Sequence, residues 1–113
     1  MDKITQYREL IKQVLSEYAG AVAKHLENGV ETILVFDDTR EQYLWMKTGW
    51  KKRHRVYGTT LHVRLRNDKI WIEQDWTEDG IATDLLRAGV PREDIVLGFC
   101  EPERRAETEF AAV

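Results

Sequence analysis

Leu61-His62-Val63-Arg64-Leu65-Arg66-Asn67-Asp68-Lys69-Ile70-Trp71-Ile72-Glu73 is the stretch that decides the fold. Leu61, Val63 and Leu65 alternate with His62, Arg64 and Arg66, the period of a half-buried strand. With Asn67-Asp68 as a two-residue hairpin loop, Arg66 pairs with Lys69, Arg64 with Trp71 and His62 with Glu73. On the other face Leu65 meets Ile70 and Val63 meets Ile72. A slip by one residue would mix the aliphatic and polar sets, so the register is self-consistent.

Working upstream, Glu31 to Asp37 is β-branched and aromatic, and Asp37-Asp38-Thr39 supplies turn chemistry. A second strand is expected over Gln42 to Lys47, with Gly49 as a bulge or strand end. Lys51-Lys52-Arg53 fits a turn, and the third strand runs from Val56 to Arg66. Before the strands, Ile4, Tyr7, Leu10, Ile11, Val14, Leu15, Tyr18, Val22 and Leu26 form the single apolar stripe of a helix from Lys3 to Leu26. Asn28-Gly29 stops it.

Downstream, Thr77 is the expected N-cap of a short helix carrying Ile81, Leu85 and Leu86. Gly89 followed by Val90-Pro91 ends it. Ile95 to Phe99 is an apolar run that fits an extra strand or a buried extended piece. The expected fold is α+β. A long N-terminal helix precedes a four-stranded antiparallel meander, a short C-terminal helix and an apolar C-terminal segment, with helices on one face of the sheet. Its 113 residues make a single domain, 1–113.

Composition narrows the function classes. A single cysteine, Cys100, excludes an internal disulfide framework. The N-terminus has no apolar leader pattern and no run is long enough to span a membrane, so the expected location is cytoplasmic. The net charge of −3 hides an asymmetry: the first 46 residues sum to −3, Lys47 to Lys69 to +7, and Ile70 to Val113 to −7. A basic middle between acidic ends implies surfaces of opposite sign or regions that face each other.

No catalytic constellation emerges. His25, His54, His62 and Cys100 lack metal-ligand spacing, and His62 is accounted for as a cross-strand partner of Glu73. Ser16, the only serine, falls on the helix, and Cys100 reads as a small buried hydrophobe. Asp37-Asp38 and Glu78-Asp79 match a turn and a helix start. No glycine-rich phosphate loop occurs. No enzyme activity and no cofactor or metal are expected.

Two binding features stand out. Trp50-Lys51-Lys52-Arg53-His54-Arg55 places Lys51, Lys52, Arg53 and Arg55 at a hairpin tip beside aromatics, where they can follow a nucleic-acid backbone. The run fits better as a solvated turn that discourages edge aggregation, and a third reading is a basic side that docks on acidic protein. Four tryptophans, Trp45, Trp50, Trp71 and Trp76, are many for this length. A sheet face carrying Trp45, Trp71 and Arg64 has the composition of a protein-contact hot spot, with Arg64 over Trp71 as a cation–π pair. The alternative is that the tryptophans are covered by the chain's own tail.

The residues also carry a family pattern. It begins with Met1-Asp2-Lys3 through Tyr7, then Tyr18, Phe36-Asp37, Tyr43, Gly49-Trp50 and Arg55-Val56-Tyr57-Gly58. It continues with His62, Lys69-Ile70-Trp71-Ile72, Thr77-Glu78 and Ile81-Ala82. The densest block is Gly89-Val90-Pro91, Asp94-Ile95-Val96-Leu97-Gly98-Phe99, Pro102, Arg105 and Thr108-Glu109-Phe110-Ala111. In this order they resemble the XisI-like family, the fdxN element excision controlling factors found mainly in cyanobacteria. Cys100 and Trp76 depart from the pattern.

The resemblance implies a non-catalytic accessory factor for programmed excision of a DNA element. There a site-specific recombinase cuts and rejoins, and XisI acts with a second small protein, XisH. It carries over no catalytic residues. Two hypotheses arise. One is a regulator that binds a XisH-like protein through Trp45, Arg64, Trp71, Phe99, Arg105 and Phe110, on the tryptophan-bearing sheet face or the Gly98 to Phe110 segment. The other is a directionality factor that contacts DNA through the basic hairpin. A homodimer with a two-fold interface is compatible with either.

Overall fold

The computed structural model describes residues 2–23, the side chains of Val22 and Ala23 excepted, and residues 29–113. Helix α1 spans Lys3–Ala23. Its start is fixed by Asp2, whose Oδ1 accepts the Thr5 amide at 2.7 Å and whose carbonyl accepts the Gln6 amide at 3.1 Å. The expected helix end at Leu26, the Asn28 stop and His25 lie outside the described residues.

Four strands come next as the expected meander: β1 (Val30–Asp37), β2 (Gln42–Lys51), β3 (His54–Arg66) and β4 (Lys69–Asp75). Strand β2 runs to Lys51 and β3 begins at His54, so the turn between them is Lys52-Arg53 alone, with Lys52 at φ 58°. Gly49 lies inside β2 and pairs with Val30. A Cβ there would come 1.9 Å from the Gly29 carbonyl oxygen, so only glycine lets the two strands continue this far.

The β3–β4 hairpin has the expected register from Val63–Ile72 through Arg66–Lys69. Asn67 and Asp68 both adopt positive φ, 54° and 61°, as a two-residue loop of this kind requires. The expected His62–Glu73 pair does not form. A bulge between His62 and Val63 sets His62 opposite Gln74, and Glu73 becomes the extra residue. His62 Nε2 instead lies 2.8 Å from Gln42 Oε1.

The sheet has five strands, not four. Strand β5 (Ile95–Leu97) joins the β4 edge in parallel and gives the order β1-β2-β3-β4-β5. Helix α2 spans Ile81–Arg87 and connects β4 to β5. Its expected N-cap is corrected: Gly80 occupies that position, and the carboxylate of Asp75 organises the approach. Asp75 accepts the Thr77 amide on Oδ1 at 2.8 Å and the Ile81 amide on Oδ2 at 2.7 Å. The C-terminus behaves as the sequence predicts. Gly89 takes φ 98°, and the Gly89 and Val90 amides bond the Leu86 and Leu85 carbonyls.

The main core lies between α1 and one sheet face. Tyr7, Ile11, Val14 and Leu15 of α1 pack on Tyr43, Trp45, Leu61, Val63, Leu65, Ile70 and Ile72, closed by Ile81, Leu85, Val90 and Ile95. The polar flank of α1 holds the β1–β2 turn, with Lys12 2.6 Å from Asp38 and Arg8 3.1 Å from Glu41. Among the described residues Asp94 is the buried carboxylate: it receives the Tyr7 hydroxyl and lies 2.8 Å from Lys3 Nζ. Burial pushes its carboxyl up, but the bonds from Lys3 and Tyr7 outweigh this and hold it below the usual range.

Candidate interaction surface

The sheet face opposite α1 divides into two halves of unlike character. Over β4 and β5 the chain covers itself. Trp71 is 6% exposed, with the guanidinium groups of Arg64, Arg66 and Arg105 at 5.7, 5.2 and 5.3 Å from its ring. Arg105 comes from a 3₁₀ turn, Pro102–Glu107, and is fixed by the carbonyls of Leu97, Gly98 and Cys100. The residues after that turn return along β5: the Ala111 amide bonds the Ile95 carbonyl at 2.9 Å, and Phe110 packs against the core. Gly98 passes so close to Glu73 that a Cβ would meet Oε1 at 2.0 Å. Glu73 in turn stands 2.7 Å from Arg64 Nε, at an angle that makes it a charge contact rather than a hydrogen bond.

Over β1 to β3 the same face is bare. Strand pairing aligns Ile33 with Met46, Val35 with Leu44, Thr48 with Tyr57 and Trp50 with Arg55. Cross-strand partners share a face. Because Tyr43 and Trp45 point into the core, these neighbours point away from it. Ile33 is 37%, Val35 41%, Trp50 55% and Tyr57 67% exposed. Arg55 is held between the two aromatic rings, 5.5 Å from Trp50 and 5.2 Å from Tyr57, and donates to the Gly49 carbonyl at 3.2 Å. Lys51, Lys52 and Arg53 are exposed at the tip. From Gln42 to Asn67 there are seven Lys or Arg and no acid.

These placements revise the expected tryptophan face. Trp45 is 2% exposed, stacked on Tyr18 with ring centroids 6.2 Å apart, on the α1 side of the sheet. Trp71 is on the opposite side and under the tail. They share no open face, because Trp45 belongs to the core-facing set of β2 and Trp71 to the outward set of β4. Arg64 does cross Trp71, and Arg105 and Phe110 hold the tail down. Phe99 is 55% exposed beside that tail. The residues that make the bare half, Ile33, Val35, Leu44, Met46 and Tyr57, went unremarked as a site. The partial signal in the sequence is the apolar run Ile33 to Phe36, which places apolar residues on both sides of β1.

His62 titrates below its ordinary value because of burial, with Glu73 opposing and Arg64 reinforcing the shift. Among the described residues, no group of three or more His, Cys, Asp or Glu is placed to hold a metal ion. No described helix is long and apolar enough to cross a membrane.

A family model described as XisI protein matches residues 1–112. The chain belongs to the XisI family. Two solved structures of that family from Anabaena variabilis ATCC 29413 have the same fold. A XisI-like protein is 37% identical, with a TM-score of 0.90 over 96% of this chain and 98% of its own. The fdxN element excision controlling factor XisI is 40% identical, with a TM-score of 0.85 over 99% of this chain and 100% of its own. No curated protein matches the chain.

Proposed function

We propose that this XisI family member is a non-catalytic accessory factor controlling programmed excision of a DNA element, and that it acts in the cytoplasm by binding a XisH-like protein. The excision role is supported by the function named for the XisI relative of 40% identity. The observation that carries protein binding is the bare half of the sheet. Exposed aliphatic and aromatic side chains on one face of a rigid sheet, with cations gathered at the β2–β3 tip and Glu31 and Asp37 on β1, have the anatomy of a docking surface. Trp50 and Tyr57 braced by Arg55 are its natural anchors. In this reading Phe99 extends the contact, Arg64, Trp71, Arg105 and Phe110 support it by holding the tail, and Trp45 stiffens the sheet from behind. The cations at the β2–β3 tip select an acidic patch on the partner there.

Co-expression with the XisH-like protein encoded nearest to this chain, followed by size-exclusion chromatography with light scattering, tests the proposal. A stoichiometric complex is expected, and separate peaks at micromolar concentration would contradict it.

A second reading is favoured by the acid-free stretch from Gln42 to Asn67. In it Lys51, Lys52, Arg53 and Arg55 contact DNA near the sites where a recombinase works. That reading requires binding that weakens steeply with salt, and a salt dependence reduced by about one counterion for each cation neutralised.

A further inference from the structure

Strand β1 is an edge of the sheet, unpaired on its outer side among the described residues, and its backbone polarity can be read from the ladder. The Trp50 amide donates to the Gly29 carbonyl at 2.9 Å. In the same register Val30 pairs with Gly49, so Glu31, Ile33, Val35 and Asp37 direct their backbone groups to β2. Val30, Thr32, Leu34 and Phe36 therefore direct theirs outward, and none of these bonds elsewhere among the described residues. Such an edge is ordinarily protected by charged side chains, lysine above all, by proline, a bulge or short length, or by a covering helix or loop. Here the eight residues Val-Glu-Thr-Ile-Leu-Val-Phe-Asp contain neither lysine nor proline, and pairing to β2 is regular throughout.

The outward set is self-complementary. Antiparallel pairing of β1 with itself requires outward residues to face outward residues. With Leu34 opposite Leu34, Thr32 faces Phe36 of the second copy and each such pair exchanges two backbone hydrogen bonds. On the bare face Ile33 then meets Val35 twice, so all four exposed aliphatic side chains pair with one another. A register shifted by two residues sets either Glu31 against Val35 or Ile33 against Asp37. The centred register brings Glu31 towards Asp37, and Arg40 resolves that charge. Arg40 is 3.0 Å from Asp37 Oδ2, its side chain is 78% exposed, and Glu31 makes no ion pair among the described residues. Arg40 of one copy is thus placed to bridge its own Asp37 and the other copy's Glu31.

We propose that a second copy of this chain adds to the open edge of β1 in antiparallel fashion, with Leu34 opposite Leu34, so that two sheets run on as one. This gives the self-association compatible with the regulator a defined surface, and it leaves Trp50 and Tyr57 free for another partner. Eight residues a side is well below the roughly 20–30 of a standard interface, so the association belongs to the weak, micromolar class.

Light scattering on the chain alone, from about 5 to 500 µM, separates this proposal from XisH binding. The expected mass rises towards twice 13.3 kDa. Thr32→Pro removes an outward amide for which no described residue is an acceptor, and Val35→Lys sets a charge against Ile33. Each is expected to weaken dimerisation at least tenfold while the unfolding midpoint of dilute protein stays unchanged. If Thr32→Pro does not fold, Val35→Lys decides. With Cys100→Ser, the pair Ile33→Cys and Val35→Cys is expected to give a covalent dimer on oxidation. A single-chain mass at every concentration, variants that dimerise as tightly as the parent, or no covalent dimer would each overturn the proposal.

Discussion

Trp71 and Trp50 stand on the same face of one sheet, each beside arginine, yet one is 6% and the other 55% exposed. The difference lies in the chain beyond β5. The 3₁₀ turn brings Arg105 over Trp71 and anchors it on three carbonyls, whereas Trp50 has Arg55 beside its ring and remains more than half exposed. Tryptophan and arginine in a strand therefore do not by themselves mark a contact surface. The same pair forms an internal clamp where the tail arrives and stays exposed where it does not.

Substitution breaks this comparison most sharply at the clamp. Trp71→Ala removes a buried indole and its three guanidinium neighbours, and should cost about 3–5 kcal/mol in denaturant unfolding. Trp50→Ala, by contrast, should stay within about 0.5 kcal/mol of the parent. If the two cost the same, the covered and bare halves are not distinct. Arg105→Gln comes next, at about 2 kcal/mol. It should also speed hydrogen exchange at Ala111, whose amide is bonded to Ile95, without changing exchange in β1. Gly98→Ala should cost about 1 kcal/mol, because Glu73 must swing away from Arg64. Adding Glu73→Ala should recover part of that loss.

The pH dependence gives a smaller and signed effect. His62 has its folded pKa below its ordinary value of 6.5. The unfolded chain therefore takes up the proton first, and stability falls as pH drops below about 6.5. His62→Asn should remove that slope from the unfolding free energy. Asp38 and Asp94 are held below the ordinary carboxylate value of 3.8, Asp38 mainly by the bond from Lys12. Their contribution is present above that value and is lost only as pH falls through their lower folded values.

How much of this was legible in the sequence depends on the range of each interaction. The β3–β4 register could be written from alternation and Asn67-Asp68 alone, and the Gly89 helix stop from local chemistry. The bulge that moves His62 away from Glu73 could not, because it depends on how β2 and β4 fit on either side of β3. The α2 cap was missed for a similar reason: Asp75, not Thr77, supplies the acceptor from six residues before Ile81. Strand β5 was visible as an apolar run, but its parallel pairing depends on the α2 crossover. The basic hairpin was legible as composition. The bare half was not, because it is defined by where the tail stops, and that is a property of the assembled chain.

Side-chain footprinting of the chain mixed with a XisH-like protein tests the proposed docking surface most directly. Hydroxyl-radical labelling of Trp50, Tyr57, Trp76 and Phe99, all exposed in the single chain, would be compared with and without the partner. The account requires strong protection of Trp50 and Tyr57 with Trp76 unchanged. Protection confined to Phe99 and the Pro102–Glu107 turn, with Trp50 and Tyr57 labelled as before, would contradict it.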